Sequence, residues 1–435
     1  MILLDSEPDS ISARISPTCP EEVQCVLTAA WAHDVEAVKK LLDSPEKARC
    51  QDPITLETPL HAAIRSCGSP SEEDDSQDLE NAQKTVSELL LWGGIWNDVD
   101  DRNETPGCVA HRLGRKDLYN LCVEAGVRAE MLFGVLEGYE ELDSGDEEME
   151  EAEDEEQESA HQPNTESEMV VVGEDGAEPP ELVEVVDNGV AENQKTGGDV
   201  NSEDYLRSKV TYLDGKLVDD ENNGVMMAWE TDIMRRSVDA LLPGNEPGKR
   251  ILNIGFGLGI IDGMFAKTKP ALHHIIEAHP GVLEHISNPE SKFGPDWEAS
   301  GPETGAYKVY QGKWQEVCLQ LLQENHVYDA IYFDTFGEDY SQLRLFFTEF
   351  IPGLLDGQGI FGFFNGLGAD RAICYDVYTK VSELHLADAG LDVEWQVIDV
   401  DVSELAKAGE GEWEGVRRRY WTLDKYRLPV CTFMG

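Results

Sequence analysis

Basic residues are scarce in this chain. Lys and Arg number 34 against 87 Asp and Glu over 435 residues, a formal net charge of −53 with a pI near 4.3. Phosphate neutralisation needs a basic surface, so this balance argues against nucleic acid as a direct partner and leaves basic proteins open. Metal-type cysteine spacing is missing as well. The nine cysteines, at 19, 25, 50, 67, 108, 122, 318, 374 and 431, form no C-x-x-C and no Cys/His cluster. No metal site is expected, and the odd, scattered set reads as reduced thiols of an intracellular protein. No window approaches ~18 uninterrupted apolar residues, so no membrane span is expected. The opening MILLDSEPDS lacks the basic region of a secretory leader. What is present suffices for real cores: 41% hydrophobic residues, with 9 Trp, 13 Tyr and 13 Phe. The length points to two or three domains.

The negative charge is concentrated. Between Glu137 and Asp204 stand 26 acidic residues and 1 basic residue, Lys195. The run EEMEEAEDEEQES at 147–159 cannot bury apolar area against its own repulsion, so 137–204 is expected to be a disordered acidic linker. It is either a solvated spacer or an electrostatic lure for a basic substrate.

Ahead of that linker a repeat shows through in residues 1–136. TPLHAAI at 58–64 matches the ankyrin signature T-P-L-H-x-A, and TPGCVAHRLG at 105–114 is a degraded copy. Their threonines lie 47 residues apart, and the acidic, turn-rich insert SPSEEDDSQDLENA at 69–82 accounts for the excess over a period of about 33. Each copy follows an expected helix, VEAVKKLLD (35–43) or TVSELLLWGG (85–94), and Thr-Pro suits a helix cap and first turn. Such an all-α unit is an interaction surface or a packing partner for the rest.

From residue 205 to 435 strand-like and helix-like segments alternate. KRILNIGF, HHIIEAHP, YKVYQG, YDAIYFDTF and GIFGFFNG read as apolar strands separated by helices such as GIIDGMFAK and EVCLQLLQE. That pattern means an α/β fold with a parallel sheet covered on both faces. VEWQVIDV and RYWTLDKYRLPVCTF, with no long helix between them, are expected to close it as an antiparallel hairpin.

The chemistry concentrates at strand ends. ILNIGFGLGIIDG (251–263) runs from strand through Gly255, Phe256, Gly257, Leu258 and Gly259 into a helix beginning near Ile260. Glycines there permit a tight turn and close ligand approach to free helix N–H groups. The spacing is G-x-G-x-G rather than the dinucleotide G-x-G-x-x-G, because position 260 is Ile. Glu277, 22 residues past Gly255, ends the next strand where it can bond ribose hydroxyls, with Ala278 and His279 behind it. Gly312, Lys313 and Trp314 follow the third strand, placed to hold an adenine. Asp334 ends the fourth strand and should face cofactor or acceptor. Upstream, GVMMAWETDIMRRSVDALL (224–242) reads as one helix carrying Met226, Glu230 and Met234 on a single face. A carboxylate inside a methionine stripe is hard to explain as core, since an unpaired buried charge is costly.

VMMAWETDIM, NIGFGLGIIDG, EAHP, GKWQE, YDAIYFDTFGEDY and GIFGFFNG resemble, in order, the guanidinoacetate methyltransferase-like methyltransferases. With ankyrin-type repeats in front, the chain is similar to the fungal type IV protein arginine N5-methyltransferases. The likeness spans everything except the acidic linker and is most specific over 224–340. It implies a Rossmann-like class I methyltransferase with a mostly parallel seven-stranded sheet, preceded by a small ankyrin-repeat domain. It implies S-adenosyl-L-methionine as donor, held by Met226, Met234, the 255–260 loop, 277–279, 312–314 and Asp334. It implies methyl transfer to the delta nitrogen of arginine in a large-subunit ribosomal protein, in cytoplasm and nucleus. Glu230 and Asp334 are the expected guanidinium clamps, Asp334 the better proton acceptor, with Asn365 as a further polar contact. Asn253 departs from the acidic residue many methyltransferases carry on the first strand. The S-E-x-M-G and T-H-W motifs of enzymes acting on terminal guanidine nitrogens are absent. A small-molecule guanidino methyltransferase and an ankyrin adaptor with a non-catalytic Rossmann-like domain are the alternatives.

Overall fold

The computed structural model describes residues 9–71, 76–143, 202–213, 215–288, 291–405, 413–417 and 419–435. The chain divides into two units, Met1–Leu136 with Val200–Gly435, and Glu137–Asp199. Most of the expected acidic linker, 144–201, lies outside the described residues.

The N-terminal part is helical. Thr58 and Thr105 cap the helices Pro59–Arg65 and Pro106–Leu113, their hydroxyls accepting from the backbone N–H groups of His61 (3.3 Å) and Cys108 (3.1 Å). Both helices start on proline, whose missing N–H costs nothing there. The insert at 69–82 is only partly a turn, because the helix Ser76–Leu91 begins within it. That helix buries Ala82, Thr85, Val86 and Leu89, spaced as one helical face, and this anchorage carries the polar first turns. Beneath the array, Arg14 and Arg65 are sandwiched between Glu57 and Asp100 at 2.7–3.2 Å. All four are buried and mutually satisfied, the condition under which buried charge is tolerated.

A three-stranded antiparallel sheet, β1 (Thr211–Leu213), β2 (Lys216–Val218) and β3 (Gly224–Met227), leads into the larger domain. The segment 224–242 is therefore not one helix. Gly224–Met227 pairs with β2, a single turn spans Ala228–Glu230, and the helix is Thr231–Leu241. The apolar run that resembles a helix face is a buried strand, and periodicity alone does not separate the two in so short a run.

The main sheet comprises β4 (Arg250–Ile254), β5 (Leu272–Glu277), β6 (Tyr307–Gln311), β7 (Tyr328–Phe333), β8 (Leu355–Phe363), β9 (Leu391–Asp399) and β10 (Lys425–Phe433). Its order is β6-β5-β4-β7-β8-β10-β9, parallel from β6 through β8, with β10 antiparallel to both neighbours. The closing hairpin is present, with its second strand inserted between β8 and β9. Alternate residues face opposite layers. Leu252, Ile254, Ile331 and Phe333 pack with Trp314 and Phe346, while Ile251, Ile275, Ala330 and Tyr332 pack with Val238 and Phe265. The strands are apolar throughout because helices cover both faces. The chain leaves β4 toward β6, then returns to lay β7 against the other side of β4. Ligands in open parallel sheets bind at the carboxyl ends beside such a reversal.

The helix Ala372–Asp388 joins the two parts. Its Ile373, Val377 and Val381 belong to the same core as Trp96, Val109 and Val123. A Cβ on Gly107 would lie 1.8 Å from Ile373 Cδ1, so the helices meet where the side chain is smallest. Tyr119 donates to Asp376 (2.6 Å), and Arg371 donates to Asn103 (2.8 Å). Among the described residues no helix is long and apolar enough to cross a membrane.

Candidate active site

The glycine loop sits at the reversal between β4 and β7. Asp334 N–H donates to Ile254 C=O at 2.9 Å, which locks the two strand ends together. Gly255 adopts φ 90° there, and a Cβ would come within 1.9 Å of the Asp334 carbonyl oxygen. Only glycine fits. Asn253 supports the loop from below, donating to Gly255 C=O (2.9 Å) and to Asp262 (2.7 Å), whose other oxygen lies 2.9 Å from His273 Nε2. An acidic group, Asp262 of the following helix, is thus hydrogen-bonded to the strand residue Asn253.

Met226, Gly255, Gly257, Glu277, Ala278, Gly312, Lys313, Trp314 and Asp334 line one cleft. Glu277 is buried, and its two oxygens accept N–H groups of Phe256 (2.9 Å) and His279 (2.7 Å), tying the glycine loop to the end of β5. Burial raises its pKa against the pull of those bonds. Met226 Sδ lies 3.2 Å from the N–H of Leu258 and so fastens β3 to the loop.

Other expected residues stand off the cleft. Met234 is in the core behind it, because it lies on the helix that starts only after Met226 and Glu230. The methionine stripe is therefore not one surface. Phe256 packs edge-on to Phe293 beneath the loop, Gly259 approaches the Phe256 ring, and Leu258 and Ile260 pack on the same core. His279 caps the next helix, with Nε2 3.1 Å from Tyr205 C=O. Trp314 is a wall rather than a free stacking face. Its Nε1 donates to Glu338 at 2.8 Å, and its ring meets Phe333, Phe346 and Phe350 edge-on. Asn365 is not among the residues lining the cleft, and its amide nitrogen is committed to Tyr375, Thr379 and Arg427 C=O at 3.2–3.4 Å.

Sequence reasoning missed several members. Tyr205 and Leu206 close the cleft from the helix Ser202–Arg207, Phe336 stacks edge-on to Tyr205, and Glu338 holds Trp314. Phe336 and Glu338 sit in FDTFGED directly after Asp334, a proximity that was available as a signal. Nothing local marks Tyr205.

Two carboxylates come close to one another here, Asp334 lining the cleft and Glu230 near enough to feel its charge. Glu230 is buried and its Oε1 accepts from Met227 N–H (2.9 Å) and from the Tyr420 hydroxyl. Burial raises its pKa, the Asp334 charge raises it further, and the two hydrogen bonds pull it down. Burial likewise raises Asp334, whose Oδ2 is enclosed with no hydrogen-bond partner. Buried Glu230 and half-buried Asp334, each with a raised pKa, make a site for a cation. Among the described residues, no group of three or more His, Cys, Asp or Glu side chains is arranged to hold a metal ion.

The sheet order, the glycine loop after β4, and acids ending β5 and β7 define the Rossmann-like fold of S-adenosyl-L-methionine-dependent methyltransferases. The cleft suits that donor. Glu277 offers a carboxylate to ribose, Gly312 leaves bare backbone, and the orphan Asp334 oxygen favours a positive charge. Residues 214–386 match the family model of guanidinoacetate N-methyltransferase. Protein arginine N-methyltransferase 2 of Neurospora crassa is 69% identical over 430 residues, covering 99% of this chain and 100% of that protein. Its namesake in Gibberella zeae is 62% identical over 96% of this chain and 93% of that one. The chain belongs to the protein arginine N-methyltransferase 2 family. A spermidine synthase from Thermotoga maritima aligns at TM-score 0.34 and 13% identity over 52% of this chain and 73% of its own, too distant to bear on function.

Proposed function

We propose that this chain transfers a methyl group from S-adenosyl-L-methionine to the delta (N5) nitrogen of an arginine in a protein. The observation that carries this reading is the pair Glu230 and Asp334, brought from separate elements close enough that the charge of Asp334 raises the Glu230 pKa, with Asp334 lining the cofactor cleft. Family membership supports it.

An arginine guanidinium is permanently charged and its lone pairs are delocalised, so it is a poor nucleophile. Carboxylates on two sides hold it by charge-assisted hydrogen bonds and draw positive charge onto the bonded nitrogens, leaving electron density on the one to be methylated. S-adenosyl-L-methionine, when bound, supplies a methyl activated by a positively charged sulfur. Glu277 would hold its ribose, and Met226, Gly257 and Gly312 would bound its remaining surface. Asp334 takes the proton the arginine nitrogen loses, at the Oδ2 that has no other partner. In the apo protein the paired charges repel; a guanidinium between them relieves that repulsion and returns both to the ionised state the reaction needs.

The absent paired-glutamate and T-H-W motifs favour the internal nitrogen over the terminal ones. In this reading the substrate is a basic protein, specifically a large-subunit ribosomal protein met in cytoplasm or nucleus. The N-terminal helices are ankyrin-type repeats that present or shield it.

The family match over 214–386 favours a second reading, methylation of guanidinoacetate or a similar metabolite. Purified protein incubated with methyl-labelled S-adenosyl-L-methionine and an extract lacking this activity separates the two. Acid hydrolysis of the protein fraction is expected to yield delta-N-monomethylarginine. Omega-methylated arginine would overturn the choice of nitrogen, and label confined to small molecules would establish the metabolic enzyme.

A further inference from the structure

Glu230 is held from a part of the chain far from it in sequence. The connection between β9 and β10 brings Trp413, Tyr420 and Trp421 against Trp229, with ring centroids 5.8–6.5 Å from it. The Tyr420 ring lies over the start of β3, where a Cβ on Gly224 would come within 3.1 Å of it. Tyr420 is fastened on both sides. Arg417 N–H donates to Asn222 C=O at 2.8 Å, Lys216 donates to Glu414 C=O at 3.1 Å, and Thr422 N–H donates to Ala369 C=O at 3.0 Å. A side chain so packed has little rotamer freedom, and its hydroxyl donates to Glu230 Oε1.

The bonding at Glu230 is asymmetric. Met227 N–H and the Tyr420 hydroxyl both converge on Oε1, and Oε2 takes neither. The carboxylate plane is thereby set by two donors on one oxygen, with the other oxygen available to a cation. Asp334, just past the end of β7, also has an oxygen without a partner, its enclosed Oδ2.

We propose that Tyr420 is a positioning residue for the methyl acceptor, orienting Glu230 so that Oε2 and Asp334 Oδ2 form the two jaws that grip the guanidinium. This rests on the arginine reading above. The groups facing Glu230 are Asp334 and Tyr332 from β7, Tyr426 from β10, and Tyr420 itself. Burial raises all three tyrosines well above their usual value, so they stay neutral and Asp334 is the one among these neighbours that ionises. Tyr420 consequently remains a donor across the working pH range. Its bond favours the ionised form of Glu230 and pulls that pKa down, so losing it moves Glu230 up.

The test is Tyr420→Phe in the full-length protein, with labelled methyl transfer measured as kcat and KM against pH and donor affinity measured by calorimetry. The ring and its packing are preserved, so S-adenosyl-L-methionine affinity should stay within about twofold, which also reports that the variant is folded. We expect kcat to fall about tenfold or more, as for a lost hydrogen bond to a charged group, and the acid limb of the profile to move up by about one pH unit. Wild-type kcat and an unmoved limb in the variant would overturn the proposal, because a ring that served packing alone would leave both unchanged. Product analysis of the wild type is independent: failure to methylate arginine or any guanidine would sink the underlying reading, whatever Tyr420→Phe does.

Discussion

Glu230 and Asp334 bring like charge together out of water, an arrangement that is unfavourable unless function requires it. Each carboxyl has a folded pKa raised above its unfolded value. The stability each contributes is complete below the ordinary carboxylate range and is lost as pH rises through the raised folded value. Replacing either with its amide removes that loss. Asp334→Asn and Glu230→Gln are each expected to raise stability at neutral pH, by on the order of 2 kcal/mol, while lowering turnover at least about 100-fold. Donor affinity should survive better in Glu230→Gln, because Glu230 lies outside the cleft that Asp334 lines. Thermal melts of wild type and variants across pH 4 to 9 check the sign. The difference should grow with pH, and a constant difference would mean that the two groups are not charged together in the folded protein.

At the scale of elements, the decisive contact is the crossing of the glycine loop over the end of β7. Gly255→Ala places a methyl 1.9 Å from Asp334 C=O on a backbone already at φ 90°, so β4 and β7 must separate at their carboxyl ends. We expect a loss of about 2–4 kcal/mol and abolition of S-adenosyl-L-methionine binding. Gly263 is the control. It lies within the helix Ile260–Lys267 with nothing within 4 Å of an added Cβ, so Gly263→Ala should be neutral or stabilising by up to about 1 kcal/mol. Calorimetric titration and a thermal melt on both proteins decide it. Equal effects would show that the loop tolerates a side chain and that its glycines serve flexibility alone.

Across the whole molecule, the helical N-terminal part and the methyltransferase sheet share a hydrophobic core through the helix Ala372–Asp388. Removing the first 136 residues would uncover Ile373, Val377 and Val381 and strip Asp376 of the Tyr119 hydroxyl. About 25 cal/mol is lost per Å² of apolar surface newly exposed, so several kcal/mol are at stake. We therefore expect the full chain to unfold in one cooperative transition and the isolated 200–435 fragment to melt at least about 10 °C lower or to aggregate. Scanning calorimetry of the two proteins tests this, and two independent transitions in the full chain would refute the shared core. Loss of activity on truncation is then no proof of substrate docking, unless the fragment's fold is measured alongside.

Much of this protein is written locally. Near-continuous apolar runs marked β4, β5, β7 and β8, with helix-like segments between them, because burial on both faces leaves apolar strands whatever the partners. The turn at 255–259, the acids Glu277 and Asp334 at strand ends, and the Thr-Pro helix starts at 58 and 105 follow from backbone geometry within a few residues. Glu230 was legible for a different reason, since a carboxylate in an apolar stretch calls for a partner. What sequence could not show is pairing across distance. Met226 lies on a strand because β2 is there to bond it, the Asn365 amide nitrogen is taken by Tyr375 and Arg427, and Met234 faces the core. Tyr420 reaches Glu230 across 190 residues, and Val109 shares a core with Val377 across a still longer span. Periodicity and local turn chemistry specify which element forms; which elements meet is decided when their buried faces and unsatisfied polar groups find complementary ones, and that is a property of the packed chain.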